Sequence, residues 1–371
     1  MSCSILSIVP YTVLPPVTGG RQGIAVMHHY IGMVCEDHMV STETNSPNHN
    51  YSFRLHPIMS GSKFRYLPFY KYAAMAALVK KYNISSIYCD HPYMAFTATL
   101  LSKRLKIPWY MRSHNIESER FRSLKKKWWP LMYLLERFAM KSASGIFFVT
   151  QEDKETAISR YHIPGAKCHI APFGTPLEKA PQEHDEAKIK LAADLKLNPE
   201  LPFLYFLGVL DYYPNTQAVT FIIDEVLPRL QKKGIACQVI IAGKGLPQNI
   251  QQQIANTPNI LYAGFVPVLE TFLTGSDIML NPVQAGGGIK TKVVEALAYN
   301  KIVVSTTTGA AGLQPQACGN NLMIAADNDW DAFTENIITA INTRPQIPQS
   351  FYDMYYWGNI AKKVKEIMVN D

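Results

Sequence analysis

Short apolar runs alternate with amphipathic stretches along the whole chain, the pattern of strands and helices in an α/β protein. Residues 5–9 read as a strand running into Pro15-Pro16-Val17-Thr18-Gly19-Gly20. A helix is predicted over 69–82 and a strand over 84–89, then a helix over 93–105 and a strand over 108–112. A long helix over 129–141 leads to a strand at 145–150 and a helix at 152–161.

The second half restarts the rhythm. Strands are expected at 203–207, closing on Gly208, and at 236–242, closing on Gly243, with further strands at 260–263, 277–281 and 302–306. Helices are expected over 216–232, 247–255 and 289–299, the last opened by a glycine-rich turn and stopped at Asn300. The polar stretch 174–200 reads as an interdomain connection. The division is therefore an N-terminal domain over 1–180, a C-terminal domain over 200–345 and a final helical segment over 346–371. Two parallel sheets in tandem bind ligands at the C-terminal edges of their strands, so a site in a cleft between the domains is expected.

Composition narrows the class. With 371 residues, 47% hydrophobic and 18% charged, the chain is too apolar for disorder and too long and varied for a disulfide-stapled miniprotein or a fibre. The net charge of +7 divides into +11 on residues 1–180 and −4 on the rest, so the first half is the one suited to an anionic partner. Six scattered cysteines without a C-x-x-C pair point to reduced thiols in the cytosol, with neither a disulfide framework nor a zinc site. No basic residue precedes Arg21, and prolines interrupt the apolar start, so a first strand is expected there and not a signal peptide. No apolar run approaches the ~18–20 residues of a membrane span.

The strongest local signal is Asn281-Pro282-Val283-Gln284-Ala285-Gly286-Gly287-Gly288-Ile289-Lys290-Thr291-Lys292-Val293-Val294-Glu295-Ala296-Leu297-Ala298. Three glycines expose backbone N–H groups where a helix begins, and the partial positive charge of that end suits phosphate. Lys290 and Lys292 put full charges at the end of the helix where cations are unfavourable, which implies a compensating anion. Glu295 lies one turn on, where a carboxylate can accept bonds from ribose hydroxyls.

This block resembles that of the nucleotide-sugar-dependent glycosyltransferases of the GT-B fold, group 1 (family 4). The resemblance extends through Phe206-Leu207-Gly208, Pro214-Asn215, Ile241-Ala242-Gly243-Lys244-Gly245, Gly264-Phe265-Val266 and Ser276-Asp277-Ile278 to Gly309–Leu313. It implies two Rossmann-like domains facing across a cleft, with a C-terminal helix crossing back to the first. It also implies a UDP- or GDP-type sugar donor as co-substrate in the second domain and a glycan or lipid-linked acceptor in the first. No metal or other cofactor is implied, and retention of anomeric configuration is usual.

By the same resemblance, Gly208, Lys244, Val266 and the run Gly286, Gly287, Gly288, Ile289, Lys290 and Thr291 face the donor. Gly19 and Gly20 match the N-domain glycine loop near the leaving-group phosphates. Glu295 matches the second Glu of the E-x7-E motif and His114 the N-domain histidine facing the sugar, while Lys292 or Lys290 is expected to supply the cation on the departing phosphate. Glu136 matches a helix glutamate of structural role. Two departures stand out: the first Glu of E-x7-E is Gly287, and the Arg and Lys that many members carry after the first C-domain strand are absent from Gly208-Val209-Leu210-Asp211-Tyr212-Tyr213. A subgroup with the pattern G-x-K-x-K-x-x-E shares these features. Two alternatives accompany the enzyme reading: a non-catalytic subunit of the same fold that binds nucleotide or glycan, and a sugar-nucleotide epimerase.

Other segments weigh less. Asp327-Asn328-Asp329 precedes Trp330 and reads as a helix cap, not a metal ligand string. Adjacent His28 and His29 point apart on a helix and lack a third ligand. Arg122, Lys125, Lys126, Lys127, Trp128 and Trp129 suit either an anionic membrane face or an acceptor face, and equally an exposed loop with the tryptophans turned inward. No nucleic-acid module is recognised. A cytoplasmic protein, peripheral on the inner face of the membrane, is the corresponding expectation.

Overall fold

The structure, a computed structural model, describes residues 3–16, 19–46, 50–286 and 288–370. The chain forms two compact units, one of residues 1–176 with 355–371 and one of residues 177–354.

The first unit is a seven-stranded sheet of β1 (Ser4–Ile8), β2 (Glu36–Thr42), β3 (Arg54–Met59), β4 (Ser86–Asp90), β5 (Trp109–Ser113), β6 (Gly145–Phe148) and β7 (Cys168–Ile170). All pairings are parallel, in the order β3-β2-β1-β4-β5-β6-β7. Most strands are buried along their length, because both faces are covered and an apolar run is stable only there. Alternation divides the side chains between two cores. Leu6, Ile87, Met111 and Phe148 meet one set of helices. Ile5, Tyr88, Tyr110 and Phe147 meet Met27 and Ile31 of the helix Gly19–Val34, together with Trp357, Ile360, Val364 and Met368 of the C-terminal helix Trp357–Asn370.

The second unit carries β8 (Phe203–Leu207), β9 (Gln238–Ala242), β10 (Ile260–Gly264), β11 (Ile278–Asn281), β12 (Ile302–Thr306) and β13 (Leu322–Ala325). These pair in parallel in the order β10-β9-β8-β11-β12-β13. In each sheet the strand order reverses once, between β1 and β4 in the first and between β8 and β11 in the second. At such a point the two neighbouring loops diverge and open a crevice at the carboxyl ends of the strands.

Two expectations are corrected. Cys3 and Cys35 form a disulfide, with Cα atoms 4.8 Å apart; Cys89, Cys168, Cys237 and Cys318 are free and buried. Ser4 pairs with Glu36 across β1 and β2, so the residues just before them are brought face to face by strand register. Spacing along the chain carries no sign of this. The polar stretch 174–200 is not only a connection: it holds the helix His184–Leu195, which buries little more than Leu191 and Ala192. That helix packs closely on Leu269–Gly275, where a Cβ on Gly275 would lie 2.5 Å from the Ala187 carbonyl.

Candidate functional site

At the reversal point of the second sheet, β8 ends in Gly208 and β11 in the glycine-rich loop. A Cβ on Gly208 would lie 2.8 Å from Asn215 Nδ2, so glycine lets that amide come in close. Asn215 donates to the Val209 carbonyl at 2.9 Å, and its Oδ1 accepts from Lys292 Nζ at 3.0 Å. The Lys292 ammonium also sits 3.9 Å from the ring centroid of Phe206. An amide oxygen and an aromatic face thus hold this cation, and among the described residues no carboxylate forms an ion pair with it. Burial pushes it down to about 7, and neighbouring Lys290 adds to the effect.

Gly286 and Gly288 adopt φ of +88° and +70°, the left-handed region that favours glycine. Gly287 lies outside the described residues. Lys290 Nζ donates to the carbonyls of Gly286 at 2.8 Å and Gly288 at 2.9 Å, so this lysine ties the loop to itself. The two lysines therefore differ: Lys290 shapes the loop, and Lys292 is the desolvated charge behind it. Ile289 is buried, and exposed Thr291 opens the helix Thr291–Ala298, whose first turn offers uncapped N–H groups. Glu295, on the same helix and half-buried, has its carboxyl raised by burial. Lys244, exposed after β9, lies over the Phe265 ring at 4.2 Å. Val266, after β10, lines a separate cavity of about 280 Å³ with Leu191, Phe265 and Phe272.

The first sheet assembles its own cluster at its reversal point. His114 follows β5, is buried, and meets Asp90 Oδ1 at 2.6 Å through Nε2. Asp90 Oδ2 meets His28 Nε2 at 2.7 Å, and His28 Nδ1 meets Asp37 Oδ2 at 2.8 Å. Burial and repulsion from His91 push His114 down to about 4. His91 stacks on His114 with centroids 4.2 Å apart and holds φ of +66°. Its Nδ1 lies 3.4 Å from Glu117 Oε1; Tyr93 and Arg120 donate to Glu117 Oε2 at 2.8 and 3.1 Å. Tyr11 closes the group, its ring edge-on to His91 and its hydroxyl donating to the Asp90 carbonyl at 3.3 Å.

His114 was expected here, whereas Asp90, His28, Asp37, His91 and Glu117 were not. An Asp-His pair directly after the apolar run at 84–89 was the available signal. Gly19 and Gly20 open the helix that carries His28, and a side chain on Gly20 would meet nothing within 4 Å. Glu136 accepts from the backbone N–H groups of Glu117 and Ser118 at 2.7 and 3.2 Å and from the Tyr161 hydroxyl, a helix-capping role. Asp329 caps the helix Trp330–Ile341 through the N–H of Ala332.

The basic segment lies away from this cluster's hydrogen bonds. Lys125, Lys126 and Lys127 are exposed, Trp128 is 50% exposed, and Arg122 lies over the ring of Trp129 at 5.5 Å. The following helix, Trp129–Ser142, leaves Leu131 and Leu134 exposed.

A family model described as "Glycosyl transferases group 1" matches residues 202–343, and one described as "Glycosyltransferase Family 4" matches residues 24–179, together most of the chain. The chain belongs to the group 1 glycosyltransferases. Its fold is GT-B. A glycosyltransferase from Rickettsia africae aligns with a TM-score of 0.72 at 15% identity, over 100% of this chain and 98% of that one. Anabaena Alr3699/HepE, solved in complex with UDP, aligns with a TM-score of 0.72 at 13% identity over 100% of both chains. A Klebsiella pneumoniae protein described as an uncharacterized 44.6 kDa protein in the cps region is 29% identical over 140 residues, 36% of this chain and 35% of its own length. The match thus spans about a third of that relative. In this glycosyltransferase the group 1 match contains the Lys292 loop and the family 4 match the His114 cluster.

Proposed function

We propose that this glycosyltransferase moves a sugar from a nucleotide diphosphate sugar of UDP or GDP type to a glycan or lipid-linked acceptor, in cell-surface polysaccharide or glycolipid synthesis. The observation that carries the reading is Lys292, a desolvated cation with no carboxylate partner among the described residues, set behind a glycine loop at a helix N-terminus. A departing diphosphate gains negative charge, and preorganised N–H groups with a lysine stabilise that charge without a metal. Glu295 accepts from the donor ribose, and the His114 cluster of the first unit takes sugar hydroxyls. Transfer is retaining, and the departing phosphate helps to deprotonate the acceptor hydroxyl. Solution of Alr3699/HepE with UDP supports a uridine donor as the first to test.

The exposed Arg122–Trp129 segment, continued by Leu131 and Leu134, meets an anionic membrane surface carrying a lipid-linked acceptor. A thermal-shift and hydrolysis screen of UDP-, GDP- and dTDP-sugars in the presence of EDTA tests the donor reading. One nucleotide class should stabilise the protein and be cleaved. Stabilisation by none, with Glu295→Ala without effect, contradicts it.

Gly287 in place of the family's first Glu favours a second reading, a non-catalytic subunit that binds nucleotide or glycan. Sugar transfer by the isolated chain, lost in Lys292→Ala, eliminates that reading.

A further inference from the structure

The helix Gly19–Val34 places His28 across β1, between Asp37 on β2 and Asp90 on β4, the two strands that flank β1. All three side chains are buried. Both ring nitrogens of His28 face carboxylate oxygens, at 2.8 and 2.7 Å. A neutral imidazole donates from only one nitrogen, and its other lone pair would oppose a carboxylate oxygen. Between two ionised carboxylates the geometry favours an imidazolium. The groups around it agree: although burial lowers its proton affinity, Asp37 and then Asp90 outweigh that and raise His28 to about 9.

Asp90 is in turn fully used, with Oδ2 on His28 and Oδ1 on His114. Burial alone would raise its carboxyl, but the hydrogen bonds from His114 and His28 hold it well below the usual range. An ionised carboxylate only accepts, so His114 Nε2 must carry a proton. Burial, then stacked His91 and nearby Arg112, oppose a second proton on the same ring, so Nδ1 is the ring's one acceptor.

We propose that His28 is a positioning residue: acting through Asp90, it fixes His114 as the Nε2–H tautomer, so that Nδ1 accepts a hydrogen bond from a hydroxyl of a sugar substrate. This rests on the glycosyl-transfer reading above for what His114 meets. The ligand chemistry that follows is a hydroxyl group and not an anion, because a neutral ring with a bare nitrogen offers no donor to a carboxylate or phosphate.

The test is NMR of the full chain labelled in its histidine rings, with sugar-nucleotide hydrolysis in parallel. In the wild type His114 stays the neutral Nε2–H form between about pH 5 and 8. In His28→Gln the buried carboxylates lose their counter-charge, and the His114 titration moves up by about one pH unit or more. Hydrolysis kcat falls about 10²-fold while the donor KM stays within about threefold, as for loss of orientation. Asp37→Asn keeps the His28 ring and guards against a folding defect: His28 now titrates at lower pH, and the His114 signals change at the same midpoint. Unchanged His114 signals in both variants overturn the proposal, as does coupling in the spectra without any change in kcat. The ring signals are read without substrate, so an inactive wild-type chain counts against the glycosyl-transfer reading and not against the His28–His114 coupling.

Discussion

Lys292 Nζ lies 3.0 Å from Asn215 Oδ1, a contact between the first turn of a helix after β11 and the start of a helix after β8. The two residues join the loops on either side of the sheet's reversal point. Substituting Lys292 by Ala removes the cation proposed to bond the donor diphosphate, and the expected loss is about 1.5–3 kcal/mol, or about 10- to 150-fold in Kd. Calorimetric titration with the nucleotide diphosphate measures it. Asn215→Ala, which frees Lys292 to move, should weaken binding less.

The same lysine sets a pH dependence. Its proton affinity is pushed down to about 7 by burial, so the free protein loses this cation as pH rises through 7. Donor affinity should therefore be full below about pH 6 and fall across pH 7–8, where Lys292 keeps its proton only in the complex with the diphosphate. Lys292→Arg, which stays charged, should flatten that profile over the same range. A profile equally steep in the arginine variant would place the titration elsewhere.

Glu295→Gln tests the ribose contact. A carboxylate accepts hydroxyl bonds more strongly than an amide does, so for the proposed ribose contact of this half-buried group the expected effect is about tenfold in donor Kd with little change in melting temperature. Competition by a 2′-deoxy nucleotide should then lose its disadvantage in the variant.

Vesicle flotation tests the basic face. Binding to anionic but not neutral vesicles is expected, and each basic residue at such a surface contributes about 1 kcal/mol. Replacing Lys125, Lys126 and Lys127 together should release most of the protein. Equal binding to both vesicle types would remove the membrane from the account.

Trp357 tests the packing of the C-terminal helix. Its ring is buried against Phe173 and under the Arg112 guanidinium, in the same core as Ile5 and Tyr110. Trp357→Ala should cost about 3–5 kcal/mol in chemical denaturation, as for other large-to-small core changes. An unchanged midpoint would show that the helix leaves this core intact without its tryptophan.

How much of this was legible in the sequence follows from where each signal is stored. β8 and β12 were readable within their own residues, because Val, Ile, Leu and Phe runs leave few other choices. β2 and β3 were not: Glu36-Asp37-His38 and Arg54-Leu55-His56-Pro57 carry no apolar run. Their polar groups are satisfied by partners from elsewhere, such as His28 for Asp37 and His56 for His38. The glycine loop and its lysines were legible because the whole motif is contiguous. The array behind His114 was not, since Asp90 is 24 residues from His114 and 62 from His28. Only the sheet order brings them together.

In the proposed reaction the Lys292 loop stabilises a departing nucleotide diphosphate. Phosphorus NMR of the purified chain with UDP- and GDP-sugars, an acceptor extract and EDTA measures the release of that diphosphate directly. The wild type should release it, and Lys292→Ala should do so about 10²–10³-fold more slowly. Equal rates in the two proteins, or release that appears only when a divalent metal is restored, would contradict it.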